Sequence, residues 1–439
     1  MRIVPKRWKE LSVSERRNIL KRSETDIEEV RDSVEKIIDS VRKEGDEALR
    51  RYTLEFDKAD ISALPIEVST REYEEAEAQL SEELKGAIRY SAENVRRFYA
   101  SRRPAHMDFT TVRPGILAAE RTTPVDSAGL YVPRGRGSFP SMLYMLSVPA
   151  DIAGVPNTAV ASPPNPDGSV DPGCLYTAKI TGVDRVYRIG GAQAIAALAC
   201  GTESVQPVVK LLGPGSRYVT AAKRAVSPWV DTGLPAGPSE SMILADDSAD
   251  PRSTALDLLV EAEHGADSCA LLITSSRKLA EDTAEYASKF AEELPRERRG
   301  FVEKVFSRYG GVLLVDSIEE GAELVNDFAP EHLQIRTCEP FTTMELIRNA
   351  GEILLGEHIP FSAANYSTGP NAVLPTGGAA KSFSPVSVMD FMKVSSVVYA
   401  EQRAFRKLAP QAALIAEYEG FAAHGKALTD REVTRGELD

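Results

Sequence analysis

The sequence predicts an α/β protein with two tandem Rossmann-like, doubly wound domains and helical segments at both ends. Short apolar strands alternate with helical patterns from residue 129 onward. Glycines stand where these strands pass into helices, as parallel doubly wound sheets require. An apolar stripe at helical spacing precedes the repeats and indicates a helical N-terminal segment.

The N-terminal segment, residues 1–128, is predicted to be mainly helical and to lead into the first α/β domain. Its apolar stripe consists of Ile27, Val30, Val34, Ile37, Ile38 and Val41. Gly45 ends this helix, and another helix is predicted from about Glu82 to Tyr99. These helices supply packing surface and show no chemistry of their own.

The first α/β domain is predicted over residues 129–240. Its strands are expected at residues 129–133, 158–162, 185–188 and 208–212. Helices begin after Gly190 and after Gly213, and ligands of such sheets bind beyond the carboxyl ends of the strands. Neither half carries G-x-G-x-x-G after its first strand, so a dinucleotide would be held by a different fingerprint.

The second α/β domain is predicted over residues 241–384, and a helical segment over 385–439. Strands of this domain are expected at residues 242–245, 270–274, 312–315 and 353–355. Glu261 and His264 are predicted to end a helix, whereas Glu331, His332 and Asn365 are predicted to lie at turns.

Composition restricts the possible partners and the compartment. The net charge of −13 argues against nucleic acid or an anionic membrane as a partner, because both require basic patches. No apolar run approaches the roughly 20 residues of a membrane span, and the N-terminus lacks a signal-peptide pattern. Four cysteines without C-x-x-C spacing indicate reduced thiols in a cytoplasmic protein.

Histidine is rare, with five copies in 439 residues, and three of them stand near acids. Glu261 and His264 share a helix face at i and i+3, a spacing found in carboxylate–histidine metal sites. Glu331 and His332 place two proton-transfer groups together, and His424 follows an acid by five residues. Either pair alone is also typical of an ordinary surface pair, so the whole set carries the interpretation.

Seven ordered motifs extend over nearly the whole chain. They are GLYVPRG from Gly129, GGAQAIAALA from Gly190, GPG from Gly213, PAGPSE from Pro235, EHG from Glu263, APEHL from Ala329 and GPNAVLPTGG from Gly369. Together these motifs resemble the histidinol dehydrogenase family.

The resemblance implies a zinc-dependent enzyme that oxidises a primary alcohol to a carboxylate in two steps with two NAD. It places metal ligands at Glu261, His264, Asn365 and His424, the acid/base pair at Glu331 and His332, substrate contacts at Ser239 and Glu419, and NAD contacts at Tyr131, Gln193 and Ser216. It further implies a homodimer with swapped C-terminal segments, so that Glu419 and His424 would reach the partner's site.

Four positions depart from the family pattern. Glu261 stands where the family has Gln, and Asn365 where it has Asp, so the formal charge of the ligands is unchanged and zinc is expected to be retained. Ala372 replaces a histidine that lies against the substrate, and a substrate group that needed it would go unpaired at a cost of about 1–3 kcal/mol. Ser216 replaces an Asn in the cofactor loop.

These departures resemble a branch of the family that oxidises small polar diols, typified by sulfopropanediol 3-dehydrogenase. We therefore expect a small anionic diol such as 2,3-dihydroxypropane-1-sulfonate, oxidised to sulfolactate, with histidinol as the alternative. Arg134, Arg136 and Lys381 are candidates to meet the anion, and each is equally compatible with a solvated surface charge. A non-catalytic metal-binding paralogue is the alternative of another class, and intact Glu331 and His332 argue against it.

The expected mechanism divides the work between the two groups of the acid/base pair. His332, as neutral imidazole, takes the hydroxyl proton while hydride leaves for NAD. Glu331 then activates water to attack the bound aldehyde, and the hydrate gives a second hydride to a fresh NAD.

Overall fold

The computed structural model describes residues 2–21, 27–134 and 137–431. The chain divides into two compact units. Unit 1 comprises Met1–Arg102 and Val125–Phe391, and unit 2 comprises Arg103–Pro124 and Met392–Asp439. Both parallel sheets belong to unit 1.

Strands and helices alternate through most of the described residues. The strands are β1 (Lys6–Arg7), β2 (Met107–Arg113), β3 (Ile116–Pro124), β4 (Ala128–Tyr131), β5 (Thr158–Ala161), β6 (Arg185–Tyr187), β7 (Lys210–Leu212), β8 (Glu240–Ala245), β9 (Cys269–Thr274), β10 (Gly311–Leu314), β11 (His332–Arg336), β12 (Glu352–Leu355) and β13 (Met392–Ala400). The helices are α1 (Val13–Lys21), α2 (Glu28–Glu44), α3 (Asp46–Tyr52), α4 (Thr70–Gln79), α5 (Glu82–Ala100), α6 (Pro140–Ala153), α7 (Pro172–Ile180), α8 (Gly191–Cys200), α9 (Arg217–Val226), α10 (Pro251–Val260), α11 (Arg277–Glu293), α12 (Arg296–Arg308), α13 (Ile318–Phe328), α14 (Pro340–Met344), α15 (Phe361–Tyr366), α16 (Gln402–Tyr418) and α17 (Ala422–Thr429).

Two parallel sheets organise unit 1. The first has the strand order β6-β5-β4-β7, and the second has the order β1-β10-β9-β8-β11-β12. In both, the first strand of the α/β series lies inside the sheet and the chain winds outward on either side of it. The predicted α/β class with parallel sheets is confirmed, and the predicted strands of both series are present within a few residues.

The N-terminal helices pack as their sequence pattern predicts. The apolar stripe of α2 is buried in the core that covers the first sheet, together with the alanine-rich face of α8. Gly45 ends α2 with a φ of 56°, a conformation that a side chain would disfavour. The helix predicted from about Glu82 to Tyr99 corresponds to α5.

Unit 2 corrects the prediction of helical terminal segments. β2, β3 and β13 form an antiparallel sheet with the order β13-β3-β2, so both chain segments of unit 2 contribute strands. The expected helical segment over residues 385–439 contains a short 3-10 helix at Val388–Phe391 and then strand β13, and its α-helices are α16 and α17 among the described residues. β13 is rich in β-branched and aromatic residues (VSSVVYA), a strand signal that the helical prediction overlooked.

Among the described helices, none is both long enough and apolar enough to cross a membrane.

Candidate active site

The residues predicted as the acid/base pair lie at the amino ends of strands in the second parallel sheet. His332 is the first residue of β11, Glu352 is the first residue of β12, and Glu240 is the first residue of β8. The predicted turn at His332 is therefore wrong, because His332 already pairs with both neighbouring strands. These residues therefore lie at the opposite strand ends from the carboxyl ends, beyond which ligands of such sheets ordinarily bind.

Glu331 is held in place from a neighbouring strand. Its Oε2 accepts a hydrogen bond from the backbone N–H of Glu240 at 2.9 Å. The carbonyl of Glu331 accepts from the N–H of Glu352 at 2.9 Å, which fixes the backbone on the other side. Glu331 is only 9% exposed, so its carboxyl group is oriented by the sheet and largely shielded from water.

The His332 ring lies between two carboxyl groups. Its Nδ1 is 2.9 Å from Glu352 Oε2, and its Nε2 is 3.9 Å from Glu331 Oε1. The edge-to-face ring of Phe361, on α15, lies 5.9 Å from the imidazole centroid. His332 is 3% exposed, so its orientation is set by protein groups on three elements.

Burial and neighbouring charges shift the pKa values of Glu331 and His332. Burial raises the pKa of the Glu331 carboxyl to about 8, although His332 opposes this. Burial lowers the pKa of His332, but Glu331, Glu352 and Glu261 more than reverse this and raise it to about 10. Three buried carboxyl groups face the ring and favour its protonated form, whereas the mechanism expected from the sequence uses a neutral imidazole.

A second cluster joins Glu261, His264, Asn365 and Ser239. His264 Nδ1 lies 3.2 Å from both Glu261 Oε2 and Ser239 Oγ, and Asn365 donates to Glu261 Oε1 at 2.9 Å. Glu261 follows α10 directly, as predicted, and is 1% exposed. Asn365 lies within α15 and not at the predicted turn.

The charge of the Glu261 carboxylate is favoured by its neighbours. Burial alone would raise the pKa of Glu261, but His264, His332 and hydrogen bonds from Asn365 and Ser239 lower it below the usual value. The amide of Asn365 is therefore complementary to the carboxylate of Glu261. Two of the four positions that depart from the expected family pattern, Glu261 and Asn365, therefore contact each other.

The chemistry of this cluster fits a zinc ion. Two donors that each lie about 2.1 Å from one zinc are separated by about 3.0–3.4 Å, and the Glu261–His264 separation of 3.2 Å agrees. Carboxylate, imidazole and amide oxygen are all suitable ligands. Across residues 2–21, 27–134 and 137–431, no three His, Cys, Asp or Glu side chains are grouped so that they could hold a metal ion.

The predicted cofactor residues lie around the carboxyl ends of the first parallel sheet. Tyr131 ends β4, Gln193 lies in the first turn of α8, and Ser216 is the N-cap residue of α9. The Tyr131 hydroxyl accepts a hydrogen bond from the N–H of Gly191 at 3.0 Å. This position is the one expected for a nucleotide, beyond strand ends and near helix N-termini.

The Gln193 amide has unused hydrogen-bonding capacity that fits a bound cofactor, and Gly213 lies close to the backbone of Tyr131. Both polar atoms of the fully buried Gln193 side chain lack a hydrogen-bond partner among the described residues. Buried polar groups ordinarily have partners, so this amide is poised for a ligand or a water. A Cβ at Gly213 would lie 2.1 Å from the Tyr131 carbonyl oxygen, which explains a glycine in this loop.

The loop that carries Ala372 is tied to the segment before β8. Thr376 Oγ1 accepts from the N–H of Gly237 at 2.6 Å, and Gly377 donates to Glu240 Oε1 at 3.1 Å. The loop is therefore connected to the same residue whose N–H orients Glu331. Ala372 therefore lies on a loop that is linked to Glu331 through Glu240.

The remaining predicted residues lie outside the two clusters around His332 and Glu261. Glu419 follows α16 and His424 lies on α17, so both belong to unit 2, where both are exposed. Arg134 donates to the carbonyl of Pro164 at 3.0 Å, and Lys381 is exposed. Arg136 lies outside the described residues.

Glu352 and Phe361 were missed by the sequence-based prediction. Glu352 opens an apolar strand (EILL), and a lone acid at the start of a buried strand is a signal that a functional partner is required. Phe361 is fully buried and carried no signal beyond apolarity.

Comparison with known proteins identifies the family of this chain. The family model described as Histidinol dehydrogenase matches residues 20–432. A Histidinol dehydrogenase from Synechocystis sp. is 47% identical over 412 residues, covering 94% of this chain and 95% of the relative. A Histidinol dehydrogenase homolog from Rhizobium meliloti is 46% identical, covering 96% and 93%.

A solved structure is also similar over its whole length. The crystal structure of histidinol dehydrogenase from Elizabethkingia anophelis has a TM-score of 0.91 at 33% identity and covers 96% of each chain. The chain belongs to the histidinol dehydrogenase family, whose chemistry is the NAD-dependent oxidation of an alcohol to an acid through an aldehyde.

Proposed function

We propose that this chain is a zinc- and NAD-dependent dehydrogenase that converts a primary alcohol to a carboxylate in two steps. The observation that carries the proposal is that Glu331 and His332, at the start of β11, are two adjacent acid/base groups, both buried and both oriented. A protein that had lost catalysis would have no need to bury and orient both groups.

Two bound groups would complete the site. Glu261, His264 and Asn365 would hold zinc, which would polarise the alcohol oxygen and, as a nearby dication, lower the pKa of His332 towards that of a base. The Tyr131, Gln193 and Ser216 region would hold NAD. The two sheets are then Rossmann-like halves, one for the cofactor and one for catalysis.

The side chains of this chain divide the proton transfers. His332 Nε2 takes the hydroxyl proton of the alcohol, while the hydride and its electron pair pass to NAD and leave an aldehyde. Glu331 then removes a proton from water as that water attacks the aldehyde carbon, and the resulting hydrate gives its hydride and electron pair to a second NAD and becomes the carboxylate. The backbone N–H of Glu240 keeps the Glu331 carboxyl group directed for this step.

We propose a homodimer in which the partner completes each site. Unit 2 carries Glu419 and His424 next to large exposed apolar residues, among them Leu414 at 63%, Ile415 at 61% and Tyr418 at 93% exposure. An apolar group of this size is typical of a surface that another chain covers. His424 of the partner subunit would supply the further zinc ligand, and the cytoplasm remains the proposed location.

The proposed substrate is a small diol with an anionic group, such as 2,3-dihydroxypropane-1-sulfonate. Relatives named histidinol dehydrogenase and relatives named homolog match at nearly equal identity, so the site residues must decide. Ala372 offers no hydrogen bond to the imidazole of histidinol, and the Glu261–Asn365 exchange alters the groups that would bind its amine. The overall likeness to histidinol dehydrogenases keeps histidinol as the second candidate.

A substrate panel with an Ala372→His variant tests this assignment. NADH formation is measured with the sulfonate diol, with related diols and with histidinol. We expect the wild type to favour the diol. Ala372→His should shift the kcat/KM ratio towards histidinol by about 5- to 150-fold, which corresponds to about 1–3 kcal/mol for one hydrogen bond. Efficient histidinol oxidation by the wild type, with kcat/KM of about 10⁴ M⁻¹s⁻¹ or above, would restore the second candidate.

Glu331→Gln tests the division of labour. The amide cannot accept the proton of water, so we expect aldehyde oxidation to fall on the order of 10²–10⁴-fold and alcohol oxidation to fall much less. Each half-reaction is assayed separately, with exposed Glu345→Gln as the matched control. Equal losses in the two half-reactions would contradict the assigned role of Glu331.

A further inference from the structure

Glu352 is a third acid at the acid/base pair, and the mechanism above gives it no role. It is the register partner of His332 across the parallel pair β11–β12. Its Oε2 lies 2.9 Å from His332 Nδ1, and the two residues are 9% and 3% exposed. The contact therefore lies between rigid strands and is shielded from water.

The contact leaves one ring nitrogen for chemistry. Nδ1 is used by Glu352, while Nε2 points towards Glu331 Oε1 at 3.9 Å, a separation beyond an ordinary hydrogen bond. An Nδ1–H held by a carboxylate fixes the tautomer and directs the Nε2 lone pair outward once Nε2 has lost its proton.

Packing alone does not account for Glu352. Its Oε1 is buried without a hydrogen-bond partner among the described residues, and a buried carboxylate with one partner is expensive. An apolar residue would continue the strand EILL at lower cost. The carboxylate of Glu352 is therefore explained by its contact with the His332 ring.

We propose that Glu352 is a positioning residue of the active site, which holds His332 with its proton on Nδ1 so that Nε2 accepts the hydroxyl proton of the alcohol. The inference rests on the proposed function. In the step, the alcohol O–H bond breaks, an Nε2–H bond forms, and the hydride with its electron pair passes to NAD. Glu352 stabilises the resulting imidazolium and does not itself gain the proton.

Glu352→Gln is the direct test, because glutamine keeps the shape and removes the charge. We expect kcat for alcohol oxidation to fall on the order of 10²-fold or more, with the KM values within about threefold, since an amide can hold the wrong tautomer. The acidic limb of the kcat/KM profile should move to lower pH by about one unit or more. The charged groups that face the ring are Glu331, Glu352 and Glu261, and only one is removed.

Asp257→Asn is the matched control. Asp257 is a buried carboxylate that pairs with Arg336 and Gln334 on the same strand, β11, without contacting the His332 ring. The Asp257→Asn substitution should lower the melting temperature and leave the acidic limb of the kcat/KM pH profile unchanged. Glu352→Asp, which retains the carboxylate, should return that limb towards the wild-type position.

The outcomes separate this proposal from the proposed function. A wild type active on an alcohol, with Glu352→Gln matching it in kcat and pH profile, overturns the positioning role alone. A wild type inactive on every alcohol overturns the proposed function. NMR of ¹⁵N-histidine-labelled wild type then tests Glu352 without turnover or a variant. We expect His332 Nδ1 to carry a downfield proton, and an unprotonated Nδ1 throughout the pH range would contradict the proposal.

Discussion

Replacing His332 with asparagine is expected to lower kcat for alcohol oxidation by at least about 10³-fold. His332 is a buried ring whose Nδ1 is held by Glu352 and whose Nε2 is the proposed proton acceptor, and asparagine cannot accept the hydroxyl proton. The loss should appear in kcat, because the residues assigned to NAD binding lie at the other parallel sheet. Steady-state kinetics with saturating NAD measures it directly.

The control for this variant is His358→Asn, which changes an exposed histidine of unit 1 outside the motifs. We expect it to retain wild-type kinetics and stability. His332→Asn with normal kcat would show that another group takes the hydroxyl proton, and the catalytic assignment would then be wrong.

His264→Ala is expected to remove zinc and activity together. Its imidazole supplies one of the donors next to Glu261 Oε2, and losing one of the four proposed ligands leaves a weaker set for zinc. Wild type should contain about one zinc per site, and the variant far less after dialysis. We expect kcat to fall on the order of 10³-fold, because metal polarisation contributes several kcal/mol.

Zinc content and turnover are measured on the same samples, with His358→Ala as the matched control. Added zinc should not restore the variant at concentrations that saturate the wild type. Normal turnover by His264→Ala, or an active wild type without any divalent metal, would contradict the metal site.

Much of the architecture was predictable because local patterns and the tertiary fold agree. The stripe of α2 and the glycine turns before α8 and α9 each specify an element that the packing preserves. β13 was missed because alanines and charges follow it and a helical pattern resumes at Gln402. Its pairing with β3 is remote in sequence and leaves no local trace.

The motifs identified most of the candidate site, whereas its geometry depends on register. Nothing local indicates that His332 begins a strand, because the pairing with β8 and β12 decides it. The contact between His332 and Glu352 joins residues twenty positions apart and follows from that register. The paired exchange at Glu261 and Asn365 indicated that the two positions are related. The hydrogen bond between them is seen only in the structure.

The number of NADH molecules formed per alcohol consumed tests the central claim most directly. The zinc-loaded enzyme is incubated with limiting 2,3-dihydroxypropane-1-sulfonate, excess NAD and no other enzyme, and the product is identified. A two-step dehydrogenase forms two NADH per alcohol and leaves a carboxylate, with little free aldehyde. One NADH per alcohol with accumulated aldehyde would contradict the two-step account, and no NADH from this diol or any other alcohol would contradict the proposed activity.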